Sequence, residues 1–516
     1  MNINFPWHPD TISAENPAKL KNFADGRWIE TEKYKFMANP MNGDGIILMP
    51  DTQEKELEPF IASLRRCPKY GLHNPLLNTE RYRMYGDICR NAAQFLRSPE
   101  GRNFFAKLIS LVFPKGDDQC VGEVDCIANF LETFSGHNVR FLAFGQTTPG
   151  DNVGHEAHDY RWPYGPVSII TPFNFPLEIM AMQLLGALFM GNKPVLKQAS
   201  TTSIVAEAFV RLLLACGMPA DDMALIHCGG SVMEKLVTAT DEDGELIIQM
   251  NQFTGGSDVA HRLLKLTAGR VKIEDAGFDW KIIGPDVDDN MVGFIATQSD
   301  KDAYAAAGQK CSAQSILFVH ENWMKTDLLA RMGQLALKRD FTMPIIPILT
   351  WNNEQIFKHI RNVCVVKGAK LLFGGHNRVG NKIPICYGSF ESTAVFVPLE
   401  QIMPNFQTVT KELFGPFQIV TSYNDQSLDL TLAIVNRLKN HLTAGIVSND
   451  PDFYNHVLGR TTNGVTYVGM RARTTGAPEW HHFGPTGANA AAIGTRKAII
   501  DVWSQQRGVV FDTRTV

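Results

Sequence analysis

The chain has 516 residues, of which 44% are hydrophobic and 20% are charged, a composition typical of a globular protein with two or more domains. Its 49 Lys and Arg residues nearly balance its 53 Asp and Glu residues, so charge gives no reason to expect nucleic acid or an anionic membrane as a partner. The longest apolar run, residues 179–190, is too short to span a bilayer, and residues 1–22 resemble neither a secretory signal nor a transit peptide.

The nine cysteines are scattered along the chain without the spacing of metal ligands. This distribution predicts a reducing compartment, no disulfide framework and no zinc site. We therefore expect a soluble intracellular protein, located in the cytoplasm or, if the source is eukaryotic, in the mitochondrial matrix.

The first part of the chain is predicted to form short strands and turns over residues 17–60 and helices over residues 54–112. Further helix is predicted over residues 101–141, with a break near residues 114–116. The polar segment 145–162 is predicted to form a hairpin outside any main core.

From Val167 onward, short apolar strands alternate with helices, which predicts a parallel, doubly wound sheet. Ligands of such sheets bind at the carboxyl ends of the strands. The glycine-rich turn at residues 253–257 enters a helix and suits a pyrophosphate, although it is also an ordinary strand-to-helix connection. The predicted strands are 167–170, 194–196, 223–227, 246–248 and 271–273, and the predicted helices are 176–190, 203–216, a short one near 233, and 258–266.

A second α/β series is predicted over residues 277–469, and it contains Cys311. This cysteine follows a helical-looking run, residues 302–307, and a glycine turn. It is a candidate nucleophile, although a cysteine in such a position is often an inert core residue. The strands predicted in and after this series are 371–373, 394–397, 418–420, 444–447 and 508–512, and a helix is predicted over 496–503.

Four segments in fixed order resemble the aldehyde dehydrogenase superfamily, and the resemblance covers nearly the whole chain. It implies an α/β fold with a Rossmann-like dinucleotide-binding domain (residues 1–139 and 164–275) and an α/β catalytic domain (residues 276–475). A small β oligomerisation flap (residues 140–163 and 476–516) would join subunits into a homodimer or homotetramer. The segments are Thr171-Pro172-Phe173-Asn174-Phe175-Pro176, Glu274-Asp275-Ala276-Gly277, Gly308-Gln309-Lys310-Cys311-Ser312 and Glu412-Leu413-Phe414-Gly415-Pro416.

The resemblance implies three catalytic residues. Cys311 would attack an aldehyde, Asn174 and the backbone N–H of Cys311 would stabilise the oxyanion, and Glu274 would act as general base. Two alternatives remain open from the residues themselves. Asn174 could cap the helix that follows it, and Glu274 could form an ion pair with Lys272 or Lys281.

The resemblance also implies a nicotinamide dinucleotide as cofactor and no metal. Lys197 would hold the adenosine ribose, Glu412 the nicotinamide ribose, and Phe414 would pack against the nicotinamide. Ser200 stands where the family usually has a glutamate, and serine would not repel a 2′-phosphate, so NADP is an alternative to NAD, which the resemblance at the level of the subfamily favours. Further positions around the dinucleotide are Thr171, Phe173, Thr254, Gly255, Gly256 and Ser257.

Within the family, the closer resemblance is to the plant-type delta-1-pyrroline-5-carboxylate dehydrogenases, carried by segments 160–166, 274–281, 309–315 and 473–478 and by the loop 483–487. It implies NAD-dependent oxidation of L-glutamate γ-semialdehyde to L-glutamate in proline catabolism. Ser312, Gly476 and Ala477 would bind the substrate's α-carboxylate, and Lys310 could attract it as well. The alternatives are a dehydrogenase of another short semialdehyde, a cofactor-free cysteine hydrolase and a catalytically silent relative.

Overall fold

The computed structural model describes residues 3, 5–275, 277–439, 441–476 and 478–513. Strands and helices alternate along most of these residues, as the apolar pattern predicts. In chain order the strands are β1 (Ala18–Lys19), β2 (Asn22–Ala24), β3 (Arg27–Ile29), β4 (Tyr34–Ala38), β5 (Gly45–Pro50), β6 (Thr147–Pro149), β7 (His155–Trp162), β8 (Pro166–Thr171), β9 (Lys193–Gln198), β10 (Ala224–Leu225), β11 (Met250–Thr254), β12 (Val271–Glu274), β13 (Asp279–Ile283), β14 (Gln314–His320), β15 (Lys370–Phe373), β16 (Thr393–Phe396), β17 (Phe417–Tyr423), β18 (Thr443–Val447), β19 (Val465–Val468) and β20 (Gln505–Asp512).

The helices surround the sheets, and the longest of those described, α2, lies between β5 and β6 in the chain. In chain order they are α1 (Glu58–Arg65), α2 (Glu80–Arg97), α3 (Pro99–Val112), α4 (Asp117–Thr133), α5 (Glu178–Phe189), α6 (Ser203–Ala215), α7 (Gly230–Val237), α8 (Ser257–Leu266), α9 (Val292–Tyr304), α10 (Leu328–Thr342), α11 (Asn353–Cys364), α12 (Leu399–Ile402), α13 (Phe406–Val409), α14 (Leu428–Arg437), α15 (Pro451–Leu458) and α16 (Arg496–Trp503).

The first large sheet has seven strands in the order β12-β11-β8-β9-β10-β2-β3. The strands from β12 to β10 are parallel, and β2 and β3 add antiparallel at one edge. The chain runs outward from β8 through β9 to β10 and then returns to place β11 on the other side of β8. The strand order therefore reverses between β8 and β11, and such a reversal leaves a crevice for a ligand at the carboxyl ends of the strands.

The second large sheet has the order β15-β16-β17-β14-β13-β18-β19 and is parallel except for β15. Only residues 275–278 separate the end of β12 from the start of β13, so the chain passes directly from the first sheet to the second. The predicted boundary near residue 276 falls in this connection, and the division into domains stays a prediction.

Helix α5 lies at the centre of the largest hydrophobic core and is apolar all round, as expected for a fully buried helix. Its one buried amide side chain, Gln183, accepts a hydrogen bond from Trp503 Nε1 on α16 at 2.9 Å. Helix α16 thereby packs the C-terminal part of the chain onto the first sheet's core, and β20 leaves this helix directly.

Two smaller sheets complete the fold. Strands β1, β5 and β4 form one, and β20, β7 and β6 form the other in that order. The predicted hairpin at 145–162 is confirmed as β6 and β7, and β20 pairs antiparallel with β7 along its whole length. No helix in the described part of the chain is both long and apolar enough to cross a membrane.

One predicted strand is wrong. Residues 246–248 make only an isolated bridge, from Leu246 to Thr240, and the strand that joins the sheet is β11. Strand β11 lacks the apolar pattern that predicts a buried strand, because it contains the polar residues Asn251 and Gln252. Both are nevertheless buried and hydrogen bonded. Asn251 accepts from Ser168 Oγ at 2.6 Å, and Gln252 Nε2 donates to Thr254 Oγ1 at 2.7 Å.

Candidate active site

Cys311 lies in a turn that follows α9, and the turn is not the helical continuation predicted for residues 302–307. Helix α9 ends at Tyr304, and Ala306 and Ala307 have φ values of 55° and 53°, in the left-handed region that L residues rarely adopt. Gly308 has φ 70°, and a Cβ there would lie 2.1 Å from the carbonyl oxygen of Gly415. Strained backbone of this kind is typical of functional sites, and here it leads directly to the cysteine.

Gln309 fixes the turn to its surroundings. Its Nε2 donates to the carbonyl oxygen of Pro347 at 3.0 Å, and its Oε1 accepts from the N–H of Leu349 at 2.8 Å. The side chain is fully buried, so these bonds replace water that it cannot reach. These two hydrogen bonds hold the backbone before Cys311 in place in the absence of substrate.

Asn174 follows β8 and faces the same turn, because its Nδ2 donates to the carbonyl oxygen of Gln309 at 3.2 Å. It does not cap α5, the alternative that the sequence left open. The first amides of that helix, of Leu177 and Glu178, instead donate to Oε1 of Glu123 at 2.7 and 2.9 Å. The structure therefore brings the Asn174 amide within two residues of Cys311.

Glu274 ends β12 and is 1% exposed. Neither carboxylate oxygen receives a hydrogen bond of ordinary geometry from the described residues. Desolvation raises the pKa of Glu274 to about 7, against a smaller opposing effect of the Cys311 thiol. The alternative ion pairs are not formed, since Lys281 pairs with Asp302 at 2.6 Å and Lys272 donates to a backbone carbonyl.

Cys311 is half-buried, and its surroundings raise the pKa of its thiol well above the ordinary value. Desolvation is the largest cause, the negative charge of Glu274 is the next, and the charges of Asp279 and Glu178 also contribute. At neutral pH the thiol keeps its proton, and a carboxylate with a pKa near 7 stands beside it. This pair suits proton transfer from sulfur to Glu274 at the moment of attack.

One side of the site contains an aromatic pair and a carboxylate. The rings of Phe173 and Phe414 meet edge to face with centroids 6.1 Å apart. Glu412 precedes β17, and desolvation raises the pKa of its carboxyl to about 8, while the N–H of Gly277 acts in the opposite direction. A ligand that contains a flat ring and hydroxyl groups could pack its ring against the two phenylalanines and donate a hydrogen bond to Glu412.

A cleft of about 410 Å³ opens at the carboxyl ends of β8, β9 and β11. Thr171, Lys197 and Thr254 line it, as expected for ligand-contacting residues, whereas Ser200 is not among its lining residues. Burial lowers the pKa of Lys197, and its ammonium forms no ion pair with a described residue. A half-buried ammonium without an anion fits a ligand that brings oxygen acceptors, such as a ribose.

Two helices begin beside this cleft with the same Gly-Gly-Ser pattern. One is α8, which starts at Ser257 after Gly255 and Gly256. The other is α7, whose Gly230 and Ser231 line the cleft and were missed by the sequence reasoning. A helix start with glycines exposes backbone N–H groups, so both ends fit a pyrophosphate. The repeated Gly-Gly-Ser was the signal that could have found α7.

Ser312 and Gly476 lie on the other side of Cys311. Ser312 is 4% exposed, and its carbonyl oxygen accepts from Thr475 Oγ1 at 3.4 Å. A Cβ on Gly476 would lie 2.2 Å from the hydroxyl oxygen of Tyr467, which leaves room only for glycine. Tyr467 in turn bonds His481 at 2.8 Å. Ala477, the third predicted anchor residue, lies outside the described residues.

The chain is similar to known proteins over nearly its whole length. A model of the aldehyde dehydrogenase family matches residues 28–507. The mitochondrial delta-1-pyrroline-5-carboxylate dehydrogenase 12A1 of Arabidopsis thaliana is 48% identical over 508 residues, which cover 98% of this chain and 90% of that protein.

Solved structures agree on the fold. An NAD-dependent aldehyde dehydrogenase from Sinorhizobium meliloti matches with a TM-score of 0.81 at 20% identity, over 98% of this chain and 97% of its own. An NADP-dependent enzyme from E. coli matches with a TM-score of 0.81 at 22% identity, over 96% of this chain and 98% of its own.

Proposed function

The chain belongs to the aldehyde dehydrogenase family, and we propose that it oxidises L-glutamate γ-semialdehyde to L-glutamate in proline catabolism, with NAD or NADP as hydride acceptor. The observation that carries the proposal is the convergence of Cys311, Glu274 and Asn174 with a backbone loop, residues 474–476, that is bonded to the cysteine's own segment. The name of the Arabidopsis relative supports both the substrate and, for a eukaryotic source, a mitochondrial compartment.

The reaction begins at Cys311. Glu274 accepts the thiol proton as sulfur attacks the aldehyde carbon, and a thiohemiacetal forms on the cysteine. The developing oxyanion receives hydrogen bonds from Asn174 Nδ2 and the backbone N–H of Cys311. A dinucleotide bound beside this carbon would supply the hydride acceptor, and the thiohemiacetal would become a thioester. Glu274 releases the proton it took from sulfur to solvent and then removes a proton from water. This water attacks the thioester, the carbon–sulfur bond breaks, and the proton on Glu274 passes to sulfur, which leaves the acid and the free thiol.

The cofactor would contact residues of β8, β9, α7 and α8 and of the segment before β17. Lys197 and Thr171 would hold the adenosine ribose, and the starts of α7 and α8 would hold the pyrophosphate. Phe414 and Glu412 would hold the nicotinamide and its ribose. The resemblance to the plant-type branch favours NAD, which we propose as the preferred cofactor, and the uncharged Ser200 would not repel the 2′-phosphate of NADP, so we propose that NADP is also accepted.

The substrate's α-carboxylate would bind Ser312 and the backbone N–H of Gly476, with Ala477 as a further candidate. A hydroxyl group and a backbone amide form a suitable anion site, and Ser312 is next to the nucleophile in the chain. An aldehyde bound by its far carboxylate would present its carbonyl carbon to sulfur in a fixed orientation.

The proposal is tested by initial rates with L-glutamate γ-semialdehyde, succinic semialdehyde and propionaldehyde, each with NAD and with NADP. We expect the highest kcat/KM for L-glutamate γ-semialdehyde. A higher kcat/KM for succinic semialdehyde would instead identify a dehydrogenase of another short semialdehyde, and ester hydrolysis without any dinucleotide-dependent oxidation would identify a cysteine hydrolase.

The Cys311→Ala variant is the matched control. It should lose aldehyde oxidation while dinucleotide binding, measured by quenching of protein fluorescence, stays close to wild type, because the thiol is not part of the dinucleotide cleft. Turnover above background in this variant would remove Cys311 as the nucleophile.

A further inference from the structure

Buried charged side chains hold the loop that contains the proposed carboxylate site. The N–H of Thr474 donates to Oδ2 of Asp302 at 3.0 Å, and Nζ of Lys310 donates to Oγ1 of Thr475 at 3.0 Å. Thr474 is fully buried, and Lys310 is 4% exposed. Two consecutive loop residues, directly before Gly476, are therefore tied to groups in the protein interior.

Asp302 forms the rigid part of this arrangement. It lies in the last turn of α9, and its carboxylate also accepts from Lys281 Nζ at 2.6 Å and from Gln298 Nε2 at 2.9 Å. Both members of the Lys281–Asp302 pair are 1% exposed. The charge of Asp302 is thus already paired with Lys281 before Lys310 is considered.

Lys310 has no carboxylate partner of its own among the described residues. Its ammonium bonds two neutral oxygens, Thr475 Oγ1 and the carbonyl oxygen of Lys301 at 3.1 Å. The other charges nearby, the half-buried Arg339 and the buried Asp300, pair with each other. Lys310 is therefore a buried ammonium whose hydrogen bonds among the described residues go only to neutral oxygens, and such a group is costly unless a ligand supplies an anion.

The hydroxyl of Thr475 connects this cation to the nucleophile segment. It accepts from Lys310 and donates to the carbonyl oxygen of Ser312 at 3.4 Å. Lys310 and Ser312 flank Cys311 in the chain, so one threonine hydroxyl links the loop to both neighbours of the nucleophile. The N–H of Gly476 and the hydroxyl of Ser312 are the two proposed donors to the substrate's carboxylate. A shift of the Thr475 hydroxyl would move the first donor relative to the second.

We propose that Lys310 is a positioning residue for substrate choice: through Thr475 it holds residues 474–476 in the position that favours aldehydes carrying a carboxylate. The Lys281–Asp302 pair fixes the other end of the same loop. This proposal rests on the proposed function, because it concerns how the same site distinguishes a charged aldehyde from a neutral one.

The test compares kcat/KM for L-glutamate γ-semialdehyde with kcat/KM for propionaldehyde in the full-length protein. Lys310→Met removes the charge and keeps the length of the side chain, and Thr475→Val removes the hydroxyl and keeps its shape. Each should lower the ratio of the two kcat/KM values about 10-fold or more, through the KM of the charged aldehyde, while kcat changes by less than about threefold. Thr475→Ser, which keeps the hydroxyl, should restore the wild-type ratio.

The double variant tests whether the two residues act together. Because Lys310 acts through Thr475, the ratio in Lys310→Met/Thr475→Val should fall no further than about twofold below that of the more affected single variant. The proposal would be overturned if the effects of the two single variants on the ratio multiply in the double variant. It would also be overturned if the single variants lower kcat/KM for both aldehydes equally. Should Lys310→Met fail to fold, the Thr475→Val and Thr475→Ser pair decides: an unchanged ratio in Thr475→Val overturns it.

The wild-type protein separates this inference from the proposed function. If wild type itself shows no preference for L-glutamate γ-semialdehyde over propionaldehyde, the proposed function fails and this inference fails with it. If wild type has the preference and the Thr475→Val variant keeps it in full, only the positioning role of Lys310 is overturned.

Discussion

At the scale of single residues, the site depends on a thiol and a carboxylate that share one poorly solvated place. Desolvation raises the pKa of both Cys311 and Glu274, so each is less ionised at neutral pH than in water. The pair therefore does not hold Cys311 as a thiolate when no substrate is bound. It can transfer a proton from sulfur to carboxylate when the aldehyde arrives, and this makes Glu274 the group whose ionisation controls the rate.

The rate should therefore depend on pH in a predictable direction. Glu274 must be ionised to accept a proton, and its pKa is raised to about 7. As pH rises through about 7, kcat/KM should increase and then level off, and at pH 6 it should be about tenfold below its plateau. Propionaldehyde is the suitable substrate for this profile, because L-glutamate γ-semialdehyde cyclises in a pH-dependent equilibrium.

The control for this profile is Glu274→Gln, which cannot accept the proton. It should be slow at every pH and should lose the rise near pH 7. A rise near pH 7 that persists in Glu274→Gln would assign the titration to another group.

Asn174 offers a second test at this scale. Its amide lies at the turn of Cys311, 3.2 Å from the carbonyl oxygen of Gln309. Removing one oxyanion donor costs about 2.7–4 kcal/mol of transition-state stabilisation, so Asn174→Ala should slow the chemical step about 100- to 1,000-fold. Single-turnover measurement of dinucleotide reduction isolates that step, and an unchanged rate would remove Asn174 from the mechanism.

At the scale of elements, a buried ion pair joins α4 to the start of α5. Lys115 Nζ lies 2.5 Å from Glu123 Oε2, and neither side chain is exposed. Glu123 satisfies the first amides of α5, and Lys115 donates to the carbonyl oxygen of Asn174 at 3.0 Å. The helix start and the oxyanion residue are thus positioned by the same two side chains.

This pair gives a stability prediction. Lys115→Met leaves the Glu123 carboxylate buried without a cation, and breaking a buried pair in this way costs about 3–5 kcal/mol. The midpoint of thermal unfolding should fall, compared at one scan rate and one protein concentration. The double variant Lys115→Met/Glu123→Gln removes the unpaired charge and should recover part of the loss. A Lys115→Met protein as stable as wild type would show that the α5 amides alone stabilise the carboxylate.

The sequence predicted the elements whose pattern is local and missed what depends on distant partners. The apolar runs of β8 and β18 were evident, and four short segments indicated the family. Strand β11 was missed because it contains buried polar residues that are satisfied by Ser168 on β8 and by Thr254 on β11 itself, and the turn at Ala306 was missed because alanine favours helix in the absence of tertiary contacts. The bond between Lys310 and Thr475 joins residues 165 positions apart, and no local pattern indicates it.

At the scale of the whole molecule, the sheet of β6, β7 and β20 presents a free edge. Strand β20 lies at one side of that sheet, and Val510 on it is 73% exposed. An exposed apolar edge strand is a surface on which another chain can pair. We propose that a second copy of the chain covers it, giving the homodimer or homotetramer expected of the oligomerisation flap.

Light scattering at micromolar concentration tests this arrangement. The full chain should have at least twice the mass of 57.4 kDa expected for one subunit. A variant that ends at residue 504 lacks β20 and should be smaller than the full chain, while Cys311→Ala, which leaves the flap unchanged, should keep the oligomer. A monomeric full chain would contradict the proposed assembly.

The central claim is that Cys311 attacks an aldehyde whose carboxylate is held by Ser312 and the loop before residue 477, and Ser312→Ala tests it most directly. Hydrogen bonds to charged groups contribute about 1.5–3 kcal/mol, so kcat/KM for L-glutamate γ-semialdehyde should fall about 10- to 150-fold. The value for propionaldehyde should hardly change, because that aldehyde has no carboxylate to bind. An equal loss with both aldehydes would contradict the claim, since Ser312 would then support Cys311 and not the carboxylate.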